Sequence, residues 1–219
     1  MFKKISIIMI FALLFSQRSI AQNNRIKIKS LTLYRNKMVL VANGEFDTPI
    51  ATFSVSCNKK RTPIGTRYIK EKIRWHKLYG DENYAQYCLR YGDSDNNEPL
   101  LLHSIIYSEK YNPFSLKNFT NYYGWTYNTY NGIMYEINSG GCVRLRVGDV
   151  KWLYDNIEYN TPFNIIDTDE KIIRPQFEEI PADATFDPTD LEAIYLATNN
   201  YDKDSIIQYE KGELKIDFN

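Results

Sequence analysis

One short stretch of this chain brings together the residue types that nucleophilic chemistry requires. Ser139-Gly140-Gly141-Cys142-Val143-Arg144-Leu145 places two glycines directly before a cysteine and a cation two positions after it. A cysteine nucleophile needs exposure, a base within reach and N–H donors for the oxyanion that develops as it attacks. Glycines let the backbone turn sharply and leave such N–H groups unobstructed. Arg144 favours the thiolate or holds an anionic group of a substrate. The base has few candidates, because the chain has only two histidines, His76 and His103. Taken alone, the turn also fits a buried small cysteine, and His103, which follows Leu100-Leu101-Leu102, also fits a core histidine with its nitrogens satisfied.

The elements that must position these residues are mostly strands. Arg25 to Lys29 alternates with period two. Leu31 to Tyr34 and Met38 to Val41 flank Arg35-Asn36-Lys37, a hairpin turn, and Ala51 to Val55 alternates again. Thr62-Pro63-Ile64-Gly65 is a turn, since proline fixes φ and glycine permits a positive one. Residues 84–91 and 100–107 read as two strands joined by the polar run from Gly92 to Glu98, which puts His103 on or at the end of a strand. After Cys142, Val147, Val150, Leu153 and Ile157 recur at helical spacing. Phe163 to Ile166 is a last strand. A tail with Pro175, Pro181 and Pro188 follows, and Thr189 with Glu192 forms a capping box that opens a short helix near 190–198. Residues 111–138 follow neither period.

Composition narrows the function classes. The 219 residues suggest one domain. Lys+Arg and Asp+Glu both number 27, so no basic field exists to drive nucleic-acid binding. Residues 1–21 read as a secretory signal peptide. Lys3 and Lys4 precede the apolar stretch Ile5 to Phe15, and Ser19 and Ala21 stand at −3 and −1 of a cut before Gln22. That stretch is shorter than the ~20 residues that span a bilayer. The expected division is a signal peptide at 1–21, a catalytic domain at 22–168 and a C-terminal extension at 169–219. The mature protein is expected in the periplasm or cell envelope, with no stable membrane insertion. Cys57, Cys88 and Cys142 are an odd set for an oxidising compartment, and their spacing suits no zinc site. A Cys57–Cys88 bridge and two buried free thiols are both open readings.

Read in order, these pieces resemble the L,D-transpeptidases of the YkuD family. The matching segments are Thr62-Pro63-Ile64-Gly65, His103-Ser104, Ser139-x-Gly141-Cys142-Val143-Arg144-Leu145, Asp149 to Tyr154, and Thr161-Pro162-Phe163-Asn164-Ile165, with Ala184 to Asp190 similar to segments that follow the domain in some members. The chain departs from the family in carrying Gly140 where many members have histidine and Ser104 where glycine is common. It also departs in separating His103 from Cys142 by 39 positions.

The resemblance implies a mostly β fold: a sandwich-like mixed sheet with one main helix after Cys142. It implies Cys142 as nucleophile, His103 as general base and the carbonyl of Ser104 as the acceptor that fixes the imidazole tautomer. Ser139, Gly140, Gly141 and Arg144 are implied around the oxyanion and substrate. The reaction would cleave the L,D-peptide bond before the terminal D-Ala of a peptidoglycan tetrapeptide stem and pass the acyl group to an amine of another stem, giving a 3→3 cross-link. Carbapenem inhibition is implied, and no metal or organic cofactor. The alternatives are an L,D-carboxypeptidase that uses water, and a non-catalytic envelope-binding protein. The stretch 118–131 is dense in Tyr and Asn and lies between base and nucleophile. It reads either as a variable surface loop or as a substrate-facing lid, with Tyr123 and Trp125 among the aromatic faces offered to the substrate.

Overall fold

The computed structural model describes residues 26–78, 83–108, 139–176, 187, 189–201, 205, 208 and 215. The signal segment at 1–21 and the 118–131 stretch, with Tyr123 and Trp125, lie outside the described residues. Among the described residues no helix is long and apolar enough to cross a membrane.

Two sheets form the frame. The first holds β1 (Ser30–Tyr34), β2 (Val39–Asn43), β3 (Pro49–Ser54), β5 (Gly65–Tyr68) and β11 (Pro162–Ile166), in the order β3-β2-β1-β11-β5. The second has β4 (Ser56–Cys57), β10 (Val143–Leu145), β8 (Pro99–Ser104), β7 (Asn83–Asp93) and β6 (Glu71–Lys77) in the order β4-β10-β8-β7-β6, with β9 (Tyr107–Ser108) paired to β7. Both sheets are mixed, because β1 runs parallel to β11 and β8 parallel to β10. Helix α1 (Val147–Asn156) carries the chain from β10 in one sheet to β11 in the other. This is the mostly β class with one main helix that the sequence led us to expect.

The main core lies between the sheets. Leu31, Leu33, Leu40, Leu100, Leu102 and Phe163 belong to it, as do Val147, Val150 and Leu153 on the buried face of α1. Because side chains alternate along a strand, Leu101 and His103 point the other way from Leu100 and Leu102. On that outer face of the second sheet a smaller cluster of Ala85, Cys88 and Leu101 packs against Cys142.

Two expectations need correction. Residues 26–29 are not a strand, although Ile28 is buried and the Lys29 N–H bonds to the Asn43 carbonyl. Strands β5 and β6 are absent from the sequence reading. β6 ends its sheet, and its seven residues carry five that are charged or histidine, with none fully buried, so its period-two signal is confined to Ile73 and Trp75. The cysteine alternatives are also decided. Cys57 on β4 and Cys88 on β7 have β10 and β8 between them, about 14 Å at the usual strand spacing. A disulfide needs Cα atoms within ~7 Å, and all three cysteines are free.

The tail contributes to the start of α1. Arg146 at its N-cap makes no side-chain cap. Instead the Asp187 carboxylate accepts from the N–H of Val147 at 2.9 Å, and the Thr189 hydroxyl accepts from the N–H of Gly148 at 2.9 Å. Asp187 also accepts from the N–H and hydroxyl of Thr189 at 2.8 and 2.6 Å. Burial pushes its carboxyl up, and the bonds from Thr189 and Val147 oppose that shift. Helix α2 (Leu191–Thr198) then places Leu196 in the main core. Asp187→Ala removes a helix cap and strands a buried N–H, so unfolding in denaturant should show a loss of about 1–3 kcal/mol.

Candidate active site

The strand register sets the site. Arg144 on β10 stands beside His103 on β8, and Val143 beside Leu102. Val143 and Leu102 lie in the inter-sheet core, so Arg144 and His103 share the outer face. Cys142, one residue before β10, packs on that same face against the cluster that includes Leu101, and it is partly exposed. Sequence segments nearly forty positions apart thus meet on two adjacent strands.

His103 is buried, with 1% of its surface exposed. Its Nδ1 lies 2.6 Å from the Ser104 carbonyl oxygen. A carbonyl only accepts, so Nδ1 carries the proton and Nε2 presents a lone pair. Burial, and then the nearby Arg144 guanidinium, push the imidazole down to about 3, against the opposing pull of the Ser104 carbonyl. The Ser104 hydroxyl is used elsewhere, accepting from the Gln86 N–H at 2.8 Å and donating to the Ile105 carbonyl at 2.6 Å. His76 lies on β6 at the far side of the sheet, two strands from β8.

The thiol of Cys142 donates to the Pro99 carbonyl at 3.8 Å. Burial raises its pKa. The Leu101 N–H, the Arg144 charge and its own N–H oppose the rise, while Glu98 adds to it. The resting pair is therefore a neutral thiol and a neutral imidazole.

The turn before Cys142 is held from several sides. Ser139 Oγ accepts from the Gly141 N–H and donates to the Cys142 carbonyl, both at 3.3 Å. Asn58 Nδ2 donates to the Ser139 carbonyl at 3.1 Å. Gly141 has φ +127°, and a Cβ there would come within 2.7 Å of Leu100 and 3.0 Å of the Arg61 carbonyl, so only glycine fits. Gly140 is under no such demand, because a Cβ there would meet only Glu98 at an ordinary 3.8 Å. The Gly141 carbonyl accepts from Thr62 Oγ1 at 3.0 Å and from the Tyr91 hydroxyl at 2.7 Å. Sequence reading named Thr62 only as part of a turn and did not single out Asn58 or Tyr91. No spacing rule links them to Cys142, since the contacts are made by the fold. A cavity of about 490 Å³ opens beside Gly140, with Lys60, Arg61, Arg67, Asp93 and Glu98 among its lining residues.

The model of the YkuD family, the L,D-transpeptidase catalytic domain, matches residues 29–165. Solved structures similar to the chain include LD transpeptidase LdtMt1 in complex with imipenem, at 19% identity and TM-score 0.42, covering 62% of this chain and 57% of that one. Another is an L,D-transpeptidase (Yku) from Stackebrandtia nassauensis, at 19% identity and TM-score 0.43, covering 68% and 58%. A third is L,D-transpeptidase 3 from Mycobacterium tuberculosis in complex with a faropenem-derived adduct, at 13% identity and TM-score 0.41, covering 62% and 59%. The chain thus spans less than two thirds of the length of these proteins. No curated protein sequence matches it.

Proposed function

The chain belongs to the YkuD family of L,D-transpeptidase catalytic domains, and from that premise we propose that it is a cysteine acyltransferase acting on peptidoglycan stem peptides outside the cytoplasm. Cys142 is the nucleophile and His103 the general base. The observation that supports this best is the bond from His103 Nδ1–H to the Ser104 carbonyl. It leaves Nε2 as a proton acceptor on the face that carries the thiol, the tautomer a cysteine or serine nucleophile requires.

The steps follow from those groups. The thiol turns its proton from Pro99 to His103 Nε2 as sulfur attacks the carbonyl carbon of the L,D-peptide bond. A C–S bond forms, and the carbonyl oxygen becomes an oxyanion. The Gly141 N–H is already donated to Ser139, so the Cys142 N–H is the donor that the turn has left to offer the new charge. Such a donor is worth about 3 kcal/mol in the transition state. The C–N bond then breaks, D-Ala leaves with the proton from His103, and a thioester remains. An amine of a second stem attacks the thioester and gives its proton to Nε2, the sulfur departs and recovers that proton, and a 3→3 cross-link results. Water in place of the amine makes the protein an L,D-carboxypeptidase. The cavity beside Gly140 offers both cations and carboxylates, which suits stems that carry free carboxylates and an amine.

Incubating the purified protein with tetrapeptide-containing muropeptides and weighing the products tests this reading. Free D-Ala with a cross-linked dimer is the expected outcome. Free D-Ala with tripeptide alone identifies water as acceptor, and intact tetrapeptide contradicts the proposal.

A further inference from the structure

Two buried hydroxyls converge on one carbonyl beside the nucleophile. Thr62 and Tyr91 are both 0% exposed, and both donate to the Gly141 oxygen, at 3.0 and 2.7 Å. A carbonyl oxygen has two lone pairs, so its accepting capacity is filled. The two donors arrive from different places. Thr62 comes from the loop after β4, where its N–H bonds to the Asn58 carbonyl and its own carbonyl accepts from Arg35 at 2.8 Å. Tyr91 comes from β7, where its ring packs edge-on against Phe163 of the first sheet at 5.0 Å between centroids. Both anchors are therefore fixed by the frame rather than by the turn they hold.

The consequence lies in the other half of the same peptide group. The Gly141–Cys142 bond is trans, since no peptide bond among the described residues is cis. In a planar trans amide the N–H points opposite to the C=O. Fixing the Gly141 oxygen toward Thr62 and Tyr91 thus aims the N–H of Cys142, the residue that carries the thiol, away from both hydroxyls. The glycine is part of the same arrangement, because at φ +127° a side chain there would run into Leu100 and the Arg61 carbonyl.

We propose that Thr62 and Tyr91 are positioning residues that orient the Cys142 N–H as an oxyanion donor by clamping the carbonyl on the far side of its peptide. This rests on Cys142 acting in acyl transfer. It assigns a role to the threonine of the Thr62-Pro63-Ile64-Gly65 turn and brings in a tyrosine that no motif marked. Without one hydroxyl, the peptide can rotate about its flanking bonds, and an amide misaimed by a few tenths of an ångström loses part of the transition-state interaction while the thiol stays where it was.

The test compares two reactions of the same sulfur. Alkylation by iodoacetamide displaces iodide and builds no oxyanion. Acylation by imipenem opens the β-lactam through a tetrahedral oxyanion. The two rates are read by intact-protein mass, each at the plateau of its pH profile so that thiol ionisation does not enter. Tyr91→Phe and Thr62→Val should each slow acylation about tenfold and leave alkylation within twofold, while Thr62→Ser, which keeps the hydroxyl, should restore the acylation rate. If both rates fall together, the hydroxyls support the fold alone and the proposal is overturned, as it is if neither variant slows acylation. An unaltered protein that is alkylated on Cys142 but never acylated removes the acyl-transfer reading, and this inference with it. An unaltered protein acylated no faster than the variants removes this inference only.

Discussion

Cys142→Ala should leave release of D-Ala from tetrapeptide stems at background, a loss of about 10⁴-fold or more. The Cys142 sulfur is partly exposed on the outer face of the second sheet, whereas the other two cysteines are buried. Cys57 is fully buried, with its thiol pushed up to about 12 by that burial, and Cys88 is buried completely beneath the site. Neither can stand in for Cys142. The same substitution should abolish the imipenem adduct. The alanine occupies a partly exposed position at the edge of a small apolar cluster, so the fold should persist, and unchanged circular dichroism with lost activity separates chemistry from stability. Residual D-Ala release above background in the alanine variant would place the nucleophile elsewhere.

His103→Gln should slow acylation of Cys142 by about 10²- to 10⁴-fold, and His76→Gln should leave it unchanged. The pH dependence carries more information than the single rate. Residue type alone points to a break near the ordinary imidazole value of 6.5. Burial and Arg144 move the group down to about 3, so the active neutral form persists through mildly acidic pH. The acid limb of imipenem acylation should accordingly lie well below 6.5. A second consequence concerns stability. A histidine whose folded pKa is depressed binds its proton more readily in the unfolded chain. His103 therefore makes the protein less stable as pH falls from about 6.5, and the effect is complete near 3. His103→Gln should flatten that part of the stability profile measured by denaturant unfolding. An acylation break that stays near 6.5 in the unaltered protein would contradict the buried neutral imidazole.

Much of the site's chemistry could be read from the sequence, because it depends on residue type. With two histidines in the chain, the order of motifs in the resemblance singled out His103, and strand register sets it beside Arg144 on the face that carries Cys142. The β1–β2 hairpin and helix α1 were equally legible, since Leu31 to Tyr34 and Met38 to Val41 flank the short turn Arg35-Asn36-Lys37 and Val147, Val150 and Leu153 fall on one helical face. What could not be read depends on how strands are ordered in space. Strand β6 hides behind its charged residues. Asn58, Thr62 and Tyr91 reach the 139–142 turn only because β4, β10, β8 and β7 are neighbours in one sheet. The depressed imidazole of His103 likewise has no sequence signature, since it arises from burial beside Arg144, a residue forty-one positions away that strand register brings next to it.

The central claim is that Cys142 forms a thioester with the stem peptide. Mixing the protein with a tetrapeptide muropeptide, quenching in acid within the first turnover and weighing the intact chain tests it most directly. The mass should rise by that of the muropeptide minus D-Ala, and peptide mapping should put the addition on Cys142. Release of D-Ala with no such adduct at any quench time, or an adduct on another residue, would contradict the account.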